Sequence, residues 1–595
     1  VSMHDINDKS EQSGYYMNFS LDVDIIKNML SAKVLYGLNK ENTSRDSYIP
    51  SDVYYALQRK SRGNLGYGKR QQSTLEGTLT FQHKFGELLD MNLMAGMGRY
   101  LDSGDGSDIS YENANDHIQG SSVGMADGPF YPTSYKYKNE KRSQFVRGNF
   151  DLLGRYVVSA SLRRDGTDKF FPSKKYALFP SVSLAWKMNE ESFIKNISWI
   201  NMLKLRASYG ETGSDNLGTT LYGIVTTTRE DVQFNNNSVT YIPYILSGAN
   251  YEDVTWQKTV MKNIGLDFSV LRDRIWGSVD VFRNDVTHLL GTAPTELLGM
   301  HGTRPINGGH YKRTGVDVSL NSLNLQTHDF KWTSQITMSH YNAVWIERMP
   351  NYDYQKYQKR KNEPMNAFYY YKTTGIINVD KSNMPESQRS LGPAACMPGY
   401  PIVKDKNGDG IIDVNDSYMD NTLPKLYFGF GNTFTWKNFD LDIFMYGQLG
   451  VKKWNDAYGN SIDVGGLSRG VDAHNVGIYS YNIWNTQTNT NGRFPGIAIS
   501  KSVALPENLG FDYTRENASY IRVRNITLGY NLGPKELSVF KGYIRGIRVF
   551  VDFQNPLTFT KYKGYDPEIN TSSSNLTGGQ YPQMRVYSIG AKLTF

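Results

Sequence analysis

Twelve consecutive residues, 405–416, carry oxygen-bearing side chains at the spacing of a calcium-binding loop. Gly410, at the sixth position, permits the sharp turn that such loops make, and the carbonyl group of Ile411 follows at the seventh. Carboxylates this close repel one another unless a cation or solvent screens them. The sequence therefore predicts a structural Ca²⁺ or Mg²⁺, with ligands from Asp405, Asn407, Asp409, Ile411, Asp413 and Asp416.

The same segment also has an interpretation without metal. Asp and Asn side chains stabilise turns by accepting hydrogen bonds from their own backbone, and a long surface loop needs such turns. Asp416 stands where a calcium loop usually has Glu, and its shorter side chain reaches a central ion less easily. No flanking helices are evident, so both interpretations remain open.

Gly466-Leu467-Ser468-Arg469-Gly470 matches the Gly-x-Ser-x-Gly pattern of a hydrolase nucleophile, which would make Ser468 an acyl-transfer group. That motif needs a buried strand before it and a helix after it, whereas this one lies in a polar stretch rich in Gly and Asn. We therefore predict that the chain is not an enzyme and that it needs no cofactor for chemistry.

Aromatic side chains are concentrated in the longest polar segments, where they could stack on sugar rings or seat a partner protein. The alternative is that they form membrane-interface girdles or the cores of loops. The candidate contacts with a substrate or partner are Tyr354, Tyr357, Tyr370, Trp454 and Trp484.

Composition excludes several classes of protein. The net charge of +7 comes from 65 basic and 58 acidic residues without a basic run, so we expect no nucleic-acid partner. The single Cys396 cannot form an intrachain disulfide. No segment reaches the roughly 18 consecutive apolar residues of a membrane helix.

The end of the chain alternates strictly between apolar and polar residues. A strand with one apolar face that ends on an aromatic residue is typical of the closing strand of an outer-membrane β-barrel. The apolar positions that we assign to this barrel-closing strand are Tyr587, Ile589, Leu593 and Phe595, with Ala591 between them.

The alternation recurs along the chain, for example over 15–24, 75–82 and 264–270. It predicts about 17 strands of roughly 9 to 14 residues, a length suited to tilted crossing of a bilayer. The fold class is therefore all-β, a transmembrane antiparallel β-barrel in contact with lipid. Its polar face should line the lumen through residues that include Asp22, Asp24, Glu76, Asp267 and Asp280.

Short links between the strands alternate with long ones. Bacterial barrels have short periplasmic turns and long extracellular loops, which orients the sheet and directs Phe595 to the periplasm. The predicted turns lie near 26–28, 86–87, 153–154, 272–273 and 437–439, and the predicted extracellular loops near 40–71, 101–142, 213–256, 343–423 and 450–518.

The strand count has a consequence for completeness. If the last strand descends to the periplasm, the strand over 15–25 descends as well, and an odd number of strands must precede it. A single-chain bacterial barrel has an even number of strands, and unpaired edges in lipid are costly. We therefore expect the start to be truncated and the remaining strands to come from an upstream region or another polypeptide.

Ordered motifs along nearly the whole chain resemble the SusC/RagA-like TonB-dependent outer-membrane transporters of Bacteroidota. The motifs that carry the resemblance include Ser161-Leu162-Arg163-Arg164-Asp165-Gly166, Leu205-Arg206-Ala207-Ser208-Tyr209-Gly210, Ser519-Tyr520-Ile521-Arg522, Gln554-Asn555-Pro556-Leu557 and Tyr562-Lys563-Gly564-Tyr565-Asp566-Pro567-Glu568.

The resemblance implies a barrel of about 22 strands, of which residues 1–595 would form the C-terminal portion. It also implies a plug domain and a TonB box, neither of which we find in this sequence. The expected activity is TonB-energised import of oligosaccharides or oligopeptides across the outer membrane of a Gram-negative bacterium, with a SusD-like surface lipoprotein on the extracellular face. The alternative is an outer-membrane barrel enzyme or a calcium-stabilised surface adhesin.

Overall fold

A computed structural model describes most of the chain. The described residues are 6–51, 61–114, 123–217, 227–229, 234–236, 239–241, 244–246, 252–294, 303–350, 354–359, 362–455, 481–496, 505–534, 536–540, 543–564, 566–569 and 582–594.

Seventeen antiparallel strands in these ranges form one large sheet. They are β1 (Asn7–Ile26), β2 (Leu30–Ile49), β3 (Arg62–Phe85), β4 (Leu89–Glu112), β5 (Phe130–Leu152), β6 (Tyr156–Thr167), β7 (Tyr176–Lys187), β8 (Ile200–Ser214), β9 (Gln257–Val270), β10 (Ile275–Pro294), β11 (Thr303–Gln326), β12 (Phe330–Glu347), β13 (Leu426–Trp436), β14 (Phe439–Leu449), β15 (Tyr520–Leu532), β16 (Gly546–Thr560) and β17 (Val586–Thr594).

Each strand pairs with the strand that precedes it and the strand that follows it in the sequence, so the sheet is a continuous meander from β1 to β17. In the described part of the chain, β1 pairs only with β2 and β17 only with β16. The prediction of an all-β, antiparallel fold with about 17 strands is confirmed.

The predicted short links are tight turns, and several of their residues adopt a left-handed backbone conformation. Asn28 between β1 and β2 has φ 60°, and Lys437 between β13 and β14 has φ 52°. Leu153 and Gly154, between β5 and β6, have φ 55° and 66°. Turns with positive φ match the twist of the two flanking strands, which explains why hairpins this short can connect them.

The alternation in the sequence becomes two chemically different faces. Ile264 on β9 and Val281 on β10 are direct cross-strand partners, and they are 62% and 57% exposed. Their neighbours Asn263 and Asp280 lie on the opposite face. We call the first the apolar face and the second the polar face, and the apolar face has the exposed hydrophobic surface that a bilayer covers.

Two predicted loops are shorter than expected. Strand β2 continues to Ile49 and β3 begins at Arg62, so most of 40–71 is paired strand; likewise, most of 101–142 belongs to β4 and β5. Strands β3, β4 and β11 each have 24 residues, well beyond the predicted length. Above a bilayer both faces of a strand meet water, so apolar alternation stops while backbone pairing continues.

The longest connections contain small sheets of their own and a separate core, and we call them together the loop layer. One buried cluster of the loop layer consists of Tyr371, Val403, Ile412 and Leu505. The short strands are Thr227–Arg229 with Tyr244–Leu246, Phe234–Asn236 with Val239–Tyr241, Ala367–Tyr371 with Tyr418–Asn421 and Gly510–Phe511, Thr373–Ile376 with Pro401–Val403, and Lys452–Trp454 with Arg515–Asn517.

Helical structure in the described ranges is limited to one turn of α-helix, α1 (Ser192–Lys195), and short 3-10 segments. None of these helices has the length and apolar character needed to cross a membrane. The 3-10 segments are Val123–Met125, Pro172–Lys174, Met188–Glu190, Lys356–Lys359, Glu386–Leu391, Pro393–Cys396, Val414–Asp416, Pro506–Asn508, Asp512–Thr514 and Ser538–Phe540.

Candidate functional site

The polar face carries ion pairs that join neighbouring strands. Arg206 on β8 donates to both carboxylate oxygens of Asp267 on β9, at 2.8 and 2.7 Å, and to Asp280 on β10 at 3.1 Å. Gly265 lies between them, where a Cβ atom would come within 2.3 Å of Asp280. The absence of a side chain at Gly265 thus lets one guanidinium group bridge three strands.

The other acidic residues predicted on this face also lie there. Asp22 pairs with Lys33 of β2 at 3.2 Å, and Asp24 is exposed two residues further along β1. Glu76 accepts a hydrogen bond from the Tyr100 hydroxyl. The polar face is therefore a charged, water-compatible wall.

A stack of aromatic rings and one guanidinium group lies on the same face. The Arg313 guanidinium is 3.7 Å from the ring centroid of Tyr341 and 5.7 Å from that of Phe282. The Tyr341 ring stacks on Tyr427 with centroids 5.7 Å apart and planes inclined by 2°. These four residues come from β10 to β13, so the stack could be found only once the register of those strands was known.

Next to this stack, the wall forms a cavity of about 710 Å³ with many hydrogen-bond donors. Hydroxyl groups line it, including Ser161 and Ser181, whose oxygens are 2.7 Å apart. Arg147 and Arg313 also line it, and among the described residues neither forms an ion pair. The cavity therefore presents cationic donors and hydroxyl groups, together with the Asp317 carboxylate, that a polar solute could bind.

The loop layer is held by buried charges of its own. The side chain of Arg515 is 4% exposed, pairs with Asp420 at 3.0 Å and lies 4.2 Å from the Phe368 ring centroid. Asp420 also accepts from Lys452 at 3.1 Å and from the Tyr370 hydroxyl at 3.2 Å. Burial, followed by the Asp420 charge, raises the pKa of Tyr370 to about 12. These contacts fix the loop layer near the end of β14.

A second buried cluster joins β15 to the connection that follows β16. Arg522 is 2% exposed and donates to Asp566 at 2.7 Å and to Glu568, which also accepts from the Tyr446 hydroxyl at 2.7 Å. Burial alone would raise the pKa of Asp566. The N–H groups of Glu568 and Gln583 and the Arg522 guanidinium outweigh burial and hold that pKa below its ordinary value.

The candidate calcium loop is closed by its own hydrogen bonds. Asp416 is fully buried and accepts from the N–H groups of Lys406 and Asp413, both at 2.8 Å. Asp405 accepts from Gly408 and Gly410 at 2.7 and 2.9 Å. In the part of the chain that the structure describes, no three Asp, Glu, His or Cys side chains are grouped so that they could hold a metal ion. The hydrogen bonds match the metal-free interpretation, and ion binding stays a prediction.

The remaining metal ligands of that prediction lie on the exposed side of the loop. Asn407 donates to Asp409 at 2.7 Å, and Asp409 accepts from the N–H group of Ile411 at 2.9 Å. Asp413 caps the segment Val414–Asp416 by accepting from Asn415 at 2.7 Å. To bind Ca²⁺, these carboxylates would have to give up their hydrogen bonds from backbone N–H groups and coordinate the ion instead.

Calcium should protect this loop from proteolysis if it binds there. We expect the protein, first treated with EDTA, to be cut more slowly within 405–416 when Ca²⁺ is added, because an ion holds several ligands together. Limited proteolysis with peptide mapping measures the rate. Asp409→Asn serves as the variant with one negative charge fewer. Identical cleavage rates with and without Ca²⁺ in the unmodified protein would exclude binding of the ion.

The aromatic candidates occupy different environments. Tyr370 and Trp484 are 8% and 6% exposed, so both side chains pack within the loop layer, and their contact with a substrate or partner stays a prediction. Trp484 covers Gly399, where a Cβ atom would come within 2.4 Å of the indole ring. Tyr354 and Tyr357 are partly exposed, with the Arg348 guanidinium 5.1 Å from the Tyr354 ring centroid and the Tyr357 and Tyr369 centroids 4.6 Å apart, and their contact with a substrate or partner stays a prediction.

Three other predicted residues are only partly described or not at all. The backbone of Trp454 pairs with Arg515, but its side chain lies outside the described part of the chain. Ser468 and Phe595 also lie outside it. The other residues of the barrel-closing strand share one face of β17, with Tyr587 64%, Ile589 79% and Leu593 50% exposed.

Sequence comparison identifies a family for the chain. Residues 2–555 match the family "TonB dependent receptor-like, beta-barrel". TonB-dependent receptor P3 of Formosa agariphila is 26% identical over 628 residues, covering 99% of this chain and 58% of that protein. TonB-dependent receptor SusC of Bacteroides thetaiotaomicron is 28% identical over 484 residues, covering 78% of this chain and 44% of that protein.

The fold is also similar to that of a solved transporter. The structure of the RagAB peptide transporter superposes with a TM-score of 0.79 at 21% identity, covering 100% of this chain and 63% of that one. The chain thus spans 44% to 63% of the length of these proteins, and the resemblance to SusC/RagA-like transporters is confirmed. The chain belongs to the TonB-dependent receptor-like β-barrel family of the Gram-negative outer membrane.

Proposed function

We propose that this chain forms most of the lumen wall of an active importer of nutrient oligomers, either oligosaccharides or oligopeptides. The observation that carries the proposal is the hydroxyl-lined cavity on the polar face with Arg147 and Arg313 free of ion pairs among the described residues. Guanidinium and hydroxyl donors bind the hydroxyl, carbonyl and carboxylate oxygens of such solutes. The family match supports transport rather than bond chemistry.

Partner binding is part of the same proposal. A SusD-like lipoprotein would cover the loop layer, where Tyr354 and Tyr357 offer partly exposed rings, and TonB would act through the plug of the whole protein. RagAB, whose fold is similar, is a peptide transporter, and the relative SusC is a TonB-dependent receptor. Both similarities support oligomer import as the class of activity.

Uptake by whole cells tests this function. Cells that carry the intact transporter should accumulate a fluorescent oligosaccharide or oligopeptide, and a protonophore should abolish that uptake because TonB needs the proton gradient. Arg147→Gln and Arg313→Gln should each weaken uptake about 10- to 100-fold, since a hydrogen bond to a charged group contributes ~1.5–3 kcal/mol.

Arg164→Gln is the matched control, because Arg164 is exposed on the opposite face of β6 and should leave uptake unchanged. Accumulation that persists with the protonophore would point to passive diffusion. Failure of both solute classes to accumulate would contradict the proposed import.

A further inference from the structure

The apolar face gives way to polar and charged residues, among them lysines, towards the long-loop end of β2, β3 and β5. On β2 the residues of this face are Val34, Tyr36 and Leu38, and the next residue on the same face is Lys40. Three more lysines lie on this face further from the short turns, on β3 and β5. We define the lysine patch as Lys40, Lys69, Lys136 and Lys138.

The strand register brings these four residues together. One cross-strand row runs from Lys40 through Gln71 and Ser103 to Lys138. The next row runs from Lys69 through Asp105 to Lys136. Neighbouring strands lie about 4.8 Å apart, so the four ammonium groups fall within roughly 20 Å of one another. A cavity of about 640 Å³ lies among them.

The lysine patch has an uncompensated positive charge. Among the described residues none of its four lysines forms an ion pair, and Asp105 is the single carboxylate in the two rows. Four ammonium groups and one carboxylate leave three net positive charges. The ammonium groups of Lys40 and Lys69 lie 6.0 and 5.3 Å from the ring centroids of Tyr15 and Tyr67. Tyrosine beside lysine is typical of a membrane interface.

We propose that the lysine patch binds the phosphate groups of an anionic lipid in the outer leaflet of the outer membrane. Lys40 directly follows the apolar residues of β2, and the strand register places the other three lysines beside it. One molecule can therefore place its chains on Val34 and Leu38 and its phosphates on the ammonium groups. A soluble anion would gain only the second contact. The inference rests on the outer-membrane location and does not depend on which solute is imported.

Lipid binding to the intact transporter, purified in detergent, tests the proposal. The probe is bisphosphorylated lipid A, compared with the same lipid after removal of both phosphates and with inorganic phosphate as competitor. The triple variant Lys69→Gln, Lys136→Gln, Lys138→Gln should bind the phosphorylated lipid about a hundredfold more weakly, since each basic residue near such a surface contributes about fivefold. Native mass spectrometry measures the bound fraction.

The control triple variant Lys27→Gln, Lys84→Gln, Lys437→Gln changes three lysines at the short-turn end and should bind like the unmodified transporter. The patch variant with arginine at the same three positions should also keep binding. Equal binding of the dephosphorylated lipid, displacement by inorganic phosphate, or equal loss in the control variant would overturn the proposal. If the glutamine variant does not assemble, a photoreactive residue is placed at position 103 of the otherwise unmodified protein. We expect this residue to crosslink lipid A, and the absence of a crosslink would overturn the proposal.

Discussion

Replacement of Ile264 by arginine should sharply reduce the amount of folded receptor in the outer membrane. Ile264 is 62% exposed on the apolar face, and its cross-strand partners are Ala207 and Val281. It lies seven residues from the turn after β9, which places it near the middle of the bilayer. Arginine at the bilayer midplane of a transmembrane barrel costs ~2–4 kcal/mol, whereas the same change facing the lumen costs little.

Asn263→Arg is the matched control, because the preceding residue points to the polar face. Heat-modifiable mobility on gels and the yield from purified outer membranes report the folded fraction. We expect Asn263→Arg to behave like the unmodified receptor and Ile264→Arg to be largely lost. Equal yields of the two variants would show that the apolar face does not contact lipid at this position.

Removal of the guanidinium group of Arg522 should detach the connection that follows β16. The change Arg522→Met keeps most of the side-chain volume but leaves Asp566 without its ion pair inside the protein. Breaking a buried pair by removing one partner costs about 3–5 kcal/mol, because the other charge remains out of water. We therefore expect Arg522→Met to remove a large share of the free energy that stabilises the folded loop layer.

Arg70→Met provides the comparison, since Arg70 pairs with Asp102 through two bonds of 3.1 and 3.0 Å but both side chains are substantially exposed. An exposed pair contributes about 0–1 kcal/mol. Thermal unfolding combined with limited proteolysis of the 561–585 connection separates the two cases. A result in which both variants unfold at the temperature of the unmodified receptor would contradict the role assigned to Arg522.

The strands could be predicted because lipid imposes a strict rule on one face. Ile264 and Val281, or Tyr587 and Ile589, stand in alternating patterns since one face must be apolar to meet acyl chains. The rule ends where the sheet leaves the bilayer, so residues 40–49 were predicted as loop although they continue β2. Turn positions were predicted well because hairpins need particular backbone angles, as at Asn28.

The site was less accessible to sequence reasoning because its parts are distant in the chain. Arg313, Tyr341 and Tyr427 meet only through the register of three strands. The sequence also did not show that Tyr370 and Trp484 are buried, because burial depends on how the loops pack, which no local pattern reports. The polar residues Asp267 and Asp280 were placed correctly since alternation assigns their face.

The meander order of the sheet also determines how the chain can assemble. Every strand pairs with its neighbours in sequence, so only the connection between two strands has to close when they pair. The loss of chain entropy is small where that connection is short. The exceptions are the long connections, above all 348–425 between β12 and β13 and 450–519 between β14 and β15. Assembly can therefore add one hairpin at a time to a growing edge. We expect the slowest additions at β13 and β15, because each must dock on its neighbour across a long connection.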